Sequence, residues 1–250
     1  MENRPYIISV SGFDPSGGAG LLADIKTAEA MHVYGFGVCT ANTIQTEDSF
    51  EACNWASPSV IYSQLKVLLS RYKIEGVKIG IIENTDVLLE VVSRIRRYDA
   101  KMPIVLDPVL KASSGFSFHN NDCVFSEEIL EQITVLTPNY QEIERLFKDL
   151  SIKDTLAKLQ ESTNVFLKGG HHPSEKGKDV LYLKNGRSID FYPSAVKTYE
   201  KHGSGCVLAS ALISFLAKGS TIENACKEAK RYTESLLASN RTKLGYHLWK

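Results

Sequence analysis

Neither sign of charge is in excess along the 250-residue chain: Lys plus Arg and Asp plus Glu both number 29, for a formal net charge of zero. Without a basic block or an acidic tail, the chain lacks the field that drives general nucleic-acid binding or attachment to an anionic membrane surface. A small molecule is the expected partner. Cysteine is scarce: Cys39, Cys53, Cys123, Cys206 and Cys226 are odd in number and form neither a CxxC pair nor a Cys/His zinc spacing, so no disulfide framework is expected. Long apolar runs are missing too. Val207 to Ala217, the longest, is interrupted by serines and falls short of the roughly 20 residues that span a bilayer. Met1-Glu2-Asn3-Arg4-Pro5 lacks the charged-then-apolar layout of a secretory signal, and a reducing, cytoplasmic setting is the expectation.

What is present is a globular composition, 43% hydrophobic. At this length a compact fold buries roughly 70–75% of its unfolded surface, so a core needs no disulfide or metal. One domain over residues 1–250 is expected, since no linker, repeat or low-complexity stretch divides the chain.

Strand and helix patterns alternate. Tyr6-Ile-Ile-Ser-Val10 reads as a buried strand, and past a Gly-rich turn at 12–20 a helix begins at Leu21. Pro58 opens a helix with Ile61, Leu65, Leu68 and Leu69 on one face, followed by strand Gly76–Gly80. Thr85 is expected to cap a helix whose face is Val87, Leu88, Val91, Val92 and Ile95. Strands Pro103–Asp107, Thr134–Thr137 and Asn164–Lys168 follow, with helices from Ser126 and Tyr140. Such alternation predicts a doubly wound α/β fold, a mostly parallel sheet flanked by helices on both faces. Val180–Leu183 and Ser188–Phe191 flank Asn185-Gly186, a hairpin signal that predicts a small antiparallel edge. A long apolar helix after His202-Gly-Ser-Gly-Cys206, and a last one capped by Thr221 through about Ser239, complete the reading.

In such sheets, ligands sit beyond the carboxyl ends of the strands. Those ends carry Ser11-Gly-Phe-Asp14-Pro-Ser-Gly-Gly-Ala-Gly20, Asp107, Thr137-Pro-Asn139, Lys168-Gly-Gly170 and Gly203-Ser-Gly-Cys206. The first loop is neither a P-loop, for Gly18 stands where Lys is needed, nor GxGxxG. It reads either as a tight strand-to-helix turn or as a polar-ligand loop centred on Asp14. Gly203-Ser204-Gly205-Cys206 opens a helix, where free backbone N–H groups and the helix dipole favour an anion such as a transferring phosphoryl group. The same dipole is expected to lower the Cys206 thiol from about 8.5 toward a usable base or nucleophile; a buried core cysteine is the alternative. His202 reads as orienting the loop or contacting phosphate, or equally as a loop histidine satisfied by backbone groups. Asn139 and Glu142 read as a capping box or as oxygen groups for a hydrated Mg²⁺. Asp107, ending a buried strand, needs a partner for its charge.

Taken together and in order, Ser11–Thr27 (SGFDPSGGAGLLADIKT), Lys78-Ile-Gly80, Leu106-Asp-Pro-Val109, Leu136-Thr-Pro-Asn139, Leu167-Lys-Gly-Gly-His171 and His202-Gly-Ser-Gly-Cys206 resemble the hydroxymethylpyrimidine/phosphomethylpyrimidine kinases of thiamine biosynthesis, in the ribokinase superfamily. The resemblance covers nearly the whole chain. It implies ATP-dependent phosphorylation of 4-amino-5-hydroxymethyl-2-methylpyrimidine and then of its monophosphate, by a cytoplasmic enzyme that is a homodimer and uses ATP and Mg²⁺. It also implies roles: Gly203, Ser204 and Gly205 as an anion hole with Cys206 as base, Lys168, Gly169 and Asn139 along the nucleotide, and Asp107 and Glu142 organising Mg²⁺. Gln45 would pair with the aminopyrimidine edge, its amide offering donor and acceptor together, with Gly12, Asp14 and Gly80 beside it. This chain departs from the family pattern at Ser113, where a lysine is usual, at Lys201 before the anion hole, and at Ser204, where Thr is commoner. Pyridoxal kinases share several of these motifs and are the competing reading, with a catalytically silent vitamer-binding homologue as another.

Overall fold

The structure, a computed structural model, describes residues 4–110, 125–147, 149–171, 174–194 and 197–248. The first apolar run extends as strand β1 (Tyr6–Phe13). Alternate residues face opposite sides, Ile8 and Val10 joining one core cluster and Ile7 the other. Helix α1 (Gly20–Ala30) returns the chain to β2 (Tyr34–Gln45), parallel to β1. β3 (Phe50–Trp55) doubles back antiparallel on β2.

Neither β2 nor β3 is legible in the sequence, and the reason is local. Gly35 and Gly37 in β2 read as breakers, but α1 lies so close that a Cβ on Gly35 would come within 2.8 Å of Ile25. The glycines mark packing.

From β3 the chain crosses through α2 (Pro58–Arg71) to β4 (Ile74–Ile79), on the other side of β1, and then builds outward. α3 (Thr85–Tyr98), β5 (Ile104–Leu106), α4 (Glu127–Glu131), β6 (Val135–Leu136), α5 (Tyr140–Leu146), α6 (Ile152–Ser162) and β7 (Asn164–Leu167) continue the pattern. The buried residues of α3 are those read from its spacing, but its cap is Asn84, not Thr85: the Asn84 side chain accepts from Val87 N–H. α6 was absent from the sequence expectation. β8 (Asp179–Tyr182) and β9 (Ser188–Phe191) form the antiparallel hairpin around Asn185-Gly186 as predicted, and Gly186 takes φ +85°. α7 (Ser204–Ala217) and α8 (Ile222–Ala238) close the fold, the latter capped by the Thr221 side chain.

Among the described residues nine strands make one sheet in the order β3-β2-β1-β4-β5-β6-β7-β8-β9, parallel from β2 through β7 and antiparallel at both edges. One apolar cluster packs α2 to α6 against one face, and a second packs α7 and α8 against the other. The order of strand addition reverses between β1 and β4, which places a crevice at their carboxyl ends.

Candidate active site

That crevice holds a cavity of about 220 Å³. The ends of β1, β2, β5 and β7 and the start of α7 converge on it, bringing together Gly12, Asp14, Gln45, Asp107, Asn139, Glu142, Lys168, Gly203, Ser204, Gly205 and Cys206. Two residues expected there lie elsewhere. Gly80 borders a smaller adjoining pocket, and a Cβ on it would lie 2.5 Å from Ser11 Oγ and 2.9 Å from Lys78 Nζ. It makes room for a buried lysine. Gly169 donates its N–H to Asp179 Oδ1 at 2.7 Å, and Gly170 reaches the cavity in its place.

At the floor, Asp107 has the partner its burial demanded. Lys168 Nζ lies 2.7 Å from Asp107 Oδ1 and 3.8 Å from Glu142 Oε2. Burial opposes the Lys168 charge, but Asp107 and Glu142 outweigh it and raise its pKa. Burial also pushes the Glu142 carboxyl up to about 7, with Lys168 pulling it down and Asp107 pushing it further up. Two carboxylates thus share one ammonium. The capping box is real, with Asn139 Oδ1 accepting from Glu142 N–H and Glu142 Oε2 accepting from Asn139 N–H; the carboxamide is largely spent on holding α5.

Gly203 caps α7 with φ +72°, a left-handed conformation that favours glycine. The first-turn N–H groups that follow have no intrahelical acceptor, and residues 203–206 line the cavity. A Cβ on Gly205 would lie 3.2 Å from Lys168 Nζ and 3.6 Å from Asp107 Oδ2, so the absence of a side chain leaves a cradle between the helix start and the ion pair. Free amides at a helix start beside an ammonium favour an anion.

Cys206 sits at the third helical position, half-buried in the cavity wall. The sequence expectation of a lowered thiol pKa is overturned: burial pushes it up to about 11, against the opposing pull of Lys78 and of a hydrogen bond from Gly20 N–H. Desolvation, with Asp24 and Asp107 adding to it, outweighs the dipole. Beneath the thiol lies a polar cluster that sequence reading missed. Fully buried Lys78 donates to Asp24 Oδ2 at 2.8 Å, and Asp24 also accepts from the Ser9 and Ser210 hydroxyls. A lysine and an aspartate at strand and helix positions otherwise read as core were the available signal.

Gln45 reaches the cavity from the end of β2. Its Nε2 donates to Thr43 Oγ1 at 2.7 Å, and the Thr43 hydroxyl donates to Phe13 O at 2.8 Å. One amide N–H is spent on orienting the side chain, and the amide oxygen and second N–H remain for a ligand.

Lys201 lies outside the cavity wall. Its ammonium donates to Asn240 O at 2.8 Å and faces the Tyr199 ring, pinning the segment after α8. Ser113, with Lys111 and Cys123, lies outside the described residues. Within the described residues no helix is long and apolar enough to cross a membrane.

A family model described as phosphomethylpyrimidine kinase matches residues 14–249. A hydroxymethylpyrimidine/phosphomethylpyrimidine kinase of Escherichia coli is 30% identical over 249 residues, covering 96% of this chain and 93% of that protein. A yeast protein of the same description, from Saccharomyces cerevisiae, is 34% identical over 95% of this chain, but the chain spans only 46% of its length. Among solved structures, the pyridoxal kinase of Staphylococcus aureus in complex with AMP-PCP and pyridoxal superposes with a TM-score of 0.82 at 24% identity, over 95% of this chain and 89% of that one, a likeness of fold.

Proposed function

The chain belongs to the phosphomethylpyrimidine kinase family, and we propose that it transfers the γ-phosphoryl group of ATP to the hydroxymethyl group of 4-amino-5-hydroxymethyl-2-methylpyrimidine and then phosphorylates the monophosphate. The observation that carries this is the meeting, in one small cavity, of an oriented carboxamide at Gln45, a thiol at Cys206 and a glycine-lined helix start over Lys168 and Asp107. The nucleotide-bound state of the Staphylococcus aureus pyridoxal kinase supports ATP as donor. A cytoplasmic homodimer belongs to the same reading and rests on the family resemblance.

The chemistry asks for little covalent help, because phosphoryl transfer passes through a loose transition state stabilised mainly by position and charge. The substrate oxygen forms its bond to phosphorus as the bond to the ADP oxygen breaks, and the hydroxyl proton passes to the Cys206 thiolate. Burial makes that thiolate scarce and correspondingly basic; Lys78 and the start of α7 favour it. The α7 amides and the Lys168 ammonium hold the transferring oxygens.

Three His, Cys, Asp or Glu side chains do not cluster as a metal cage among the described residues. Mg²⁺ does not require one, since it keeps most of its waters and takes one or two carboxylates together with phosphates. Asp107 and Glu142, two carboxylates against one ammonium, fit that role and would hold it. When bound it neutralises charge on the phosphates.

Specificity rests on Gln45, whose amide oxygen and remaining N–H match the exocyclic amine and the adjacent ring nitrogen of an aminopyrimidine. Gln45→Met removes both and leaves the ring's polar groups unpaired, at about 1–3 kcal/mol. The kcat/KM ratio of pyrimidine alcohol over pyridoxal is expected to fall roughly 10–100-fold, at about 1.4 kcal/mol per decade. Steady-state kinetics with both alcohols test it. A constant ratio removes Gln45 from specificity, and wild-type preference for pyridoxal makes pyridoxal the better substrate assignment.

A further inference from the structure

We propose that Asp14 and His202 form a clasp that holds the acceptor side and the phosphate side of the site in register, both acting as positioning residues that do not touch substrate. This inference rests on the phosphoryl-transfer reading above.

Asp14 stands in the cavity wall, and its carboxylate is tied down by the loop and by His202. Oδ1 accepts from Ser16 N–H, and Oδ2 accepts from the Ser16 hydroxyl, Ala19 N–H and His202 Nε2, each at 2.9 Å. Three of the four hydrogen bonds fall on Oδ2 and one on Oδ1, which fixes the carboxylate's orientation. Burial works against its charge, yet the bonds from His202, Ser16 and Ala19 outweigh it and hold the carboxyl below its usual range.

His202 has one polar side-chain tie. Its ring is 6% exposed, and Nδ1 is buried without a hydrogen bond among the described residues. Buried polar atoms are normally paired, and the one side-chain bond the ring makes is through Nε2, to a loop 188 residues away in sequence.

Around this bond the two loops fit at glycine distance. A Cβ on Gly203 would lie 2.1 Å from Gly18 O, and one on Gly18 would lie 2.7 Å from the His202 ring. A strap closes the back, with His202 N–H donating to Lys243 O at 2.9 Å. The loop after β1 walls the acceptor side, and the residues after His202 supply the amides of the phosphate side. Transfer between the two sides is sensitive to their relative placement, since a shift of about 1 Å can cost about 100-fold in rate.

The test compares His202→Leu, His202→Gln, Asp14→Asn and the Asp14→Asn/His202→Leu double variant, by steady-state kinetics and by hydrogen–deuterium exchange of residues 14–20 and 202–206 in the ligand-free protein. In His202→Leu, kcat is expected to fall about 10–100-fold with both KM values within about threefold. His202→Gln, which keeps a donor, should recover much of the loss, and the double variant should be no slower than the slower single one. Exchange should quicken in both segments together. Turnover of His202→Leu within about threefold of wild type, multiplicative losses in the double variant, or unchanged exchange would each overturn the clasp. If His202→Leu does not fold, Asp14→Asn carries the same two readouts. A wild-type protein that phosphorylates no pyrimidine alcohol defeats the functional reading, and the exchange data still decide the clasp.

Discussion

Cys206→Ala is expected to lower kcat by about 10²–10⁴-fold while nucleotide affinity stays within about threefold, since removal of a general base costs rate and not ground-state binding. The sign of the pH dependence adds a second readout. With the thiol pKa pushed up to about 11 by burial, the thiolate fraction of the free protein grows with every unit of pH from 7 toward that value. Wild-type kcat/KM should therefore climb through the alkaline range, because that quantity reports the free enzyme's essential base. The alanine variant should lose the climb. Alanine leaves the helix start intact, so nucleotide affinity measured by calorimetry separates a proton-transfer role from a packing one. A variant with turnover within about threefold of wild type would remove Cys206 from the mechanism.

Asp107→Asn is expected to act on two quantities at once. Asp107 is 1% exposed and its Oδ1 holds Lys168 Nζ at 2.7 Å, so the amide leaves that ammonium with Glu142 at 3.8 Å as its remaining anionic neighbour. Breaking a buried pair by removing one partner costs about 3–5 kcal/mol, and the isosteric amide, still able to accept a hydrogen bond, should stay at or below the lower end. The larger change is in the metal requirement. With one carboxylate fewer, the Mg²⁺ concentration for half-maximal rate should rise roughly 10–100-fold at fixed ATP. A Mg²⁺ titration beside a thermal melt distinguishes the two effects; an unchanged titration curve with a lowered Tm would make Asp107 a structural anchor only.

Apart from α6, the parallel half of the fold was legible because its strands are short apolar runs and its helices carry clean apolar faces. The Val87 to Ile95 face of α3 is an example. The β2–β3 edge was not, since Gly35 and Gly37 serve close packing of α1 and their propensity points away from a strand. The candidate site was readable where chemistry and strand ends coincide, as at Asp107 and Lys168, and at the glycine-rich start of a helix, Gly203 to Cys206. Pairings between residues distant in sequence escaped it: Lys78 with Asp24, and the bond between Asp14 and His202, two residues the sequence singles out separately. The direction of the Cys206 shift was misjudged for a related reason. The dipole of α7 is visible in sequence, whereas the burial of the thiol, and the Asp24 and Asp107 charges beside it, exist only in the folded chain.

The most direct measurement is a coupled assay of the purified protein with ATP and Mg²⁺, offering 4-amino-5-hydroxymethyl-2-methylpyrimidine and pyridoxal in parallel. ADP release should be acceptor-dependent, with kcat/KM for the pyrimidine alcohol exceeding that for pyridoxal by at least about tenfold, the discrimination that one well-placed amide supplies. ADP release that does not depend on the pyrimidine alcohol, or a kcat/KM that favours pyridoxal, would contradict the account.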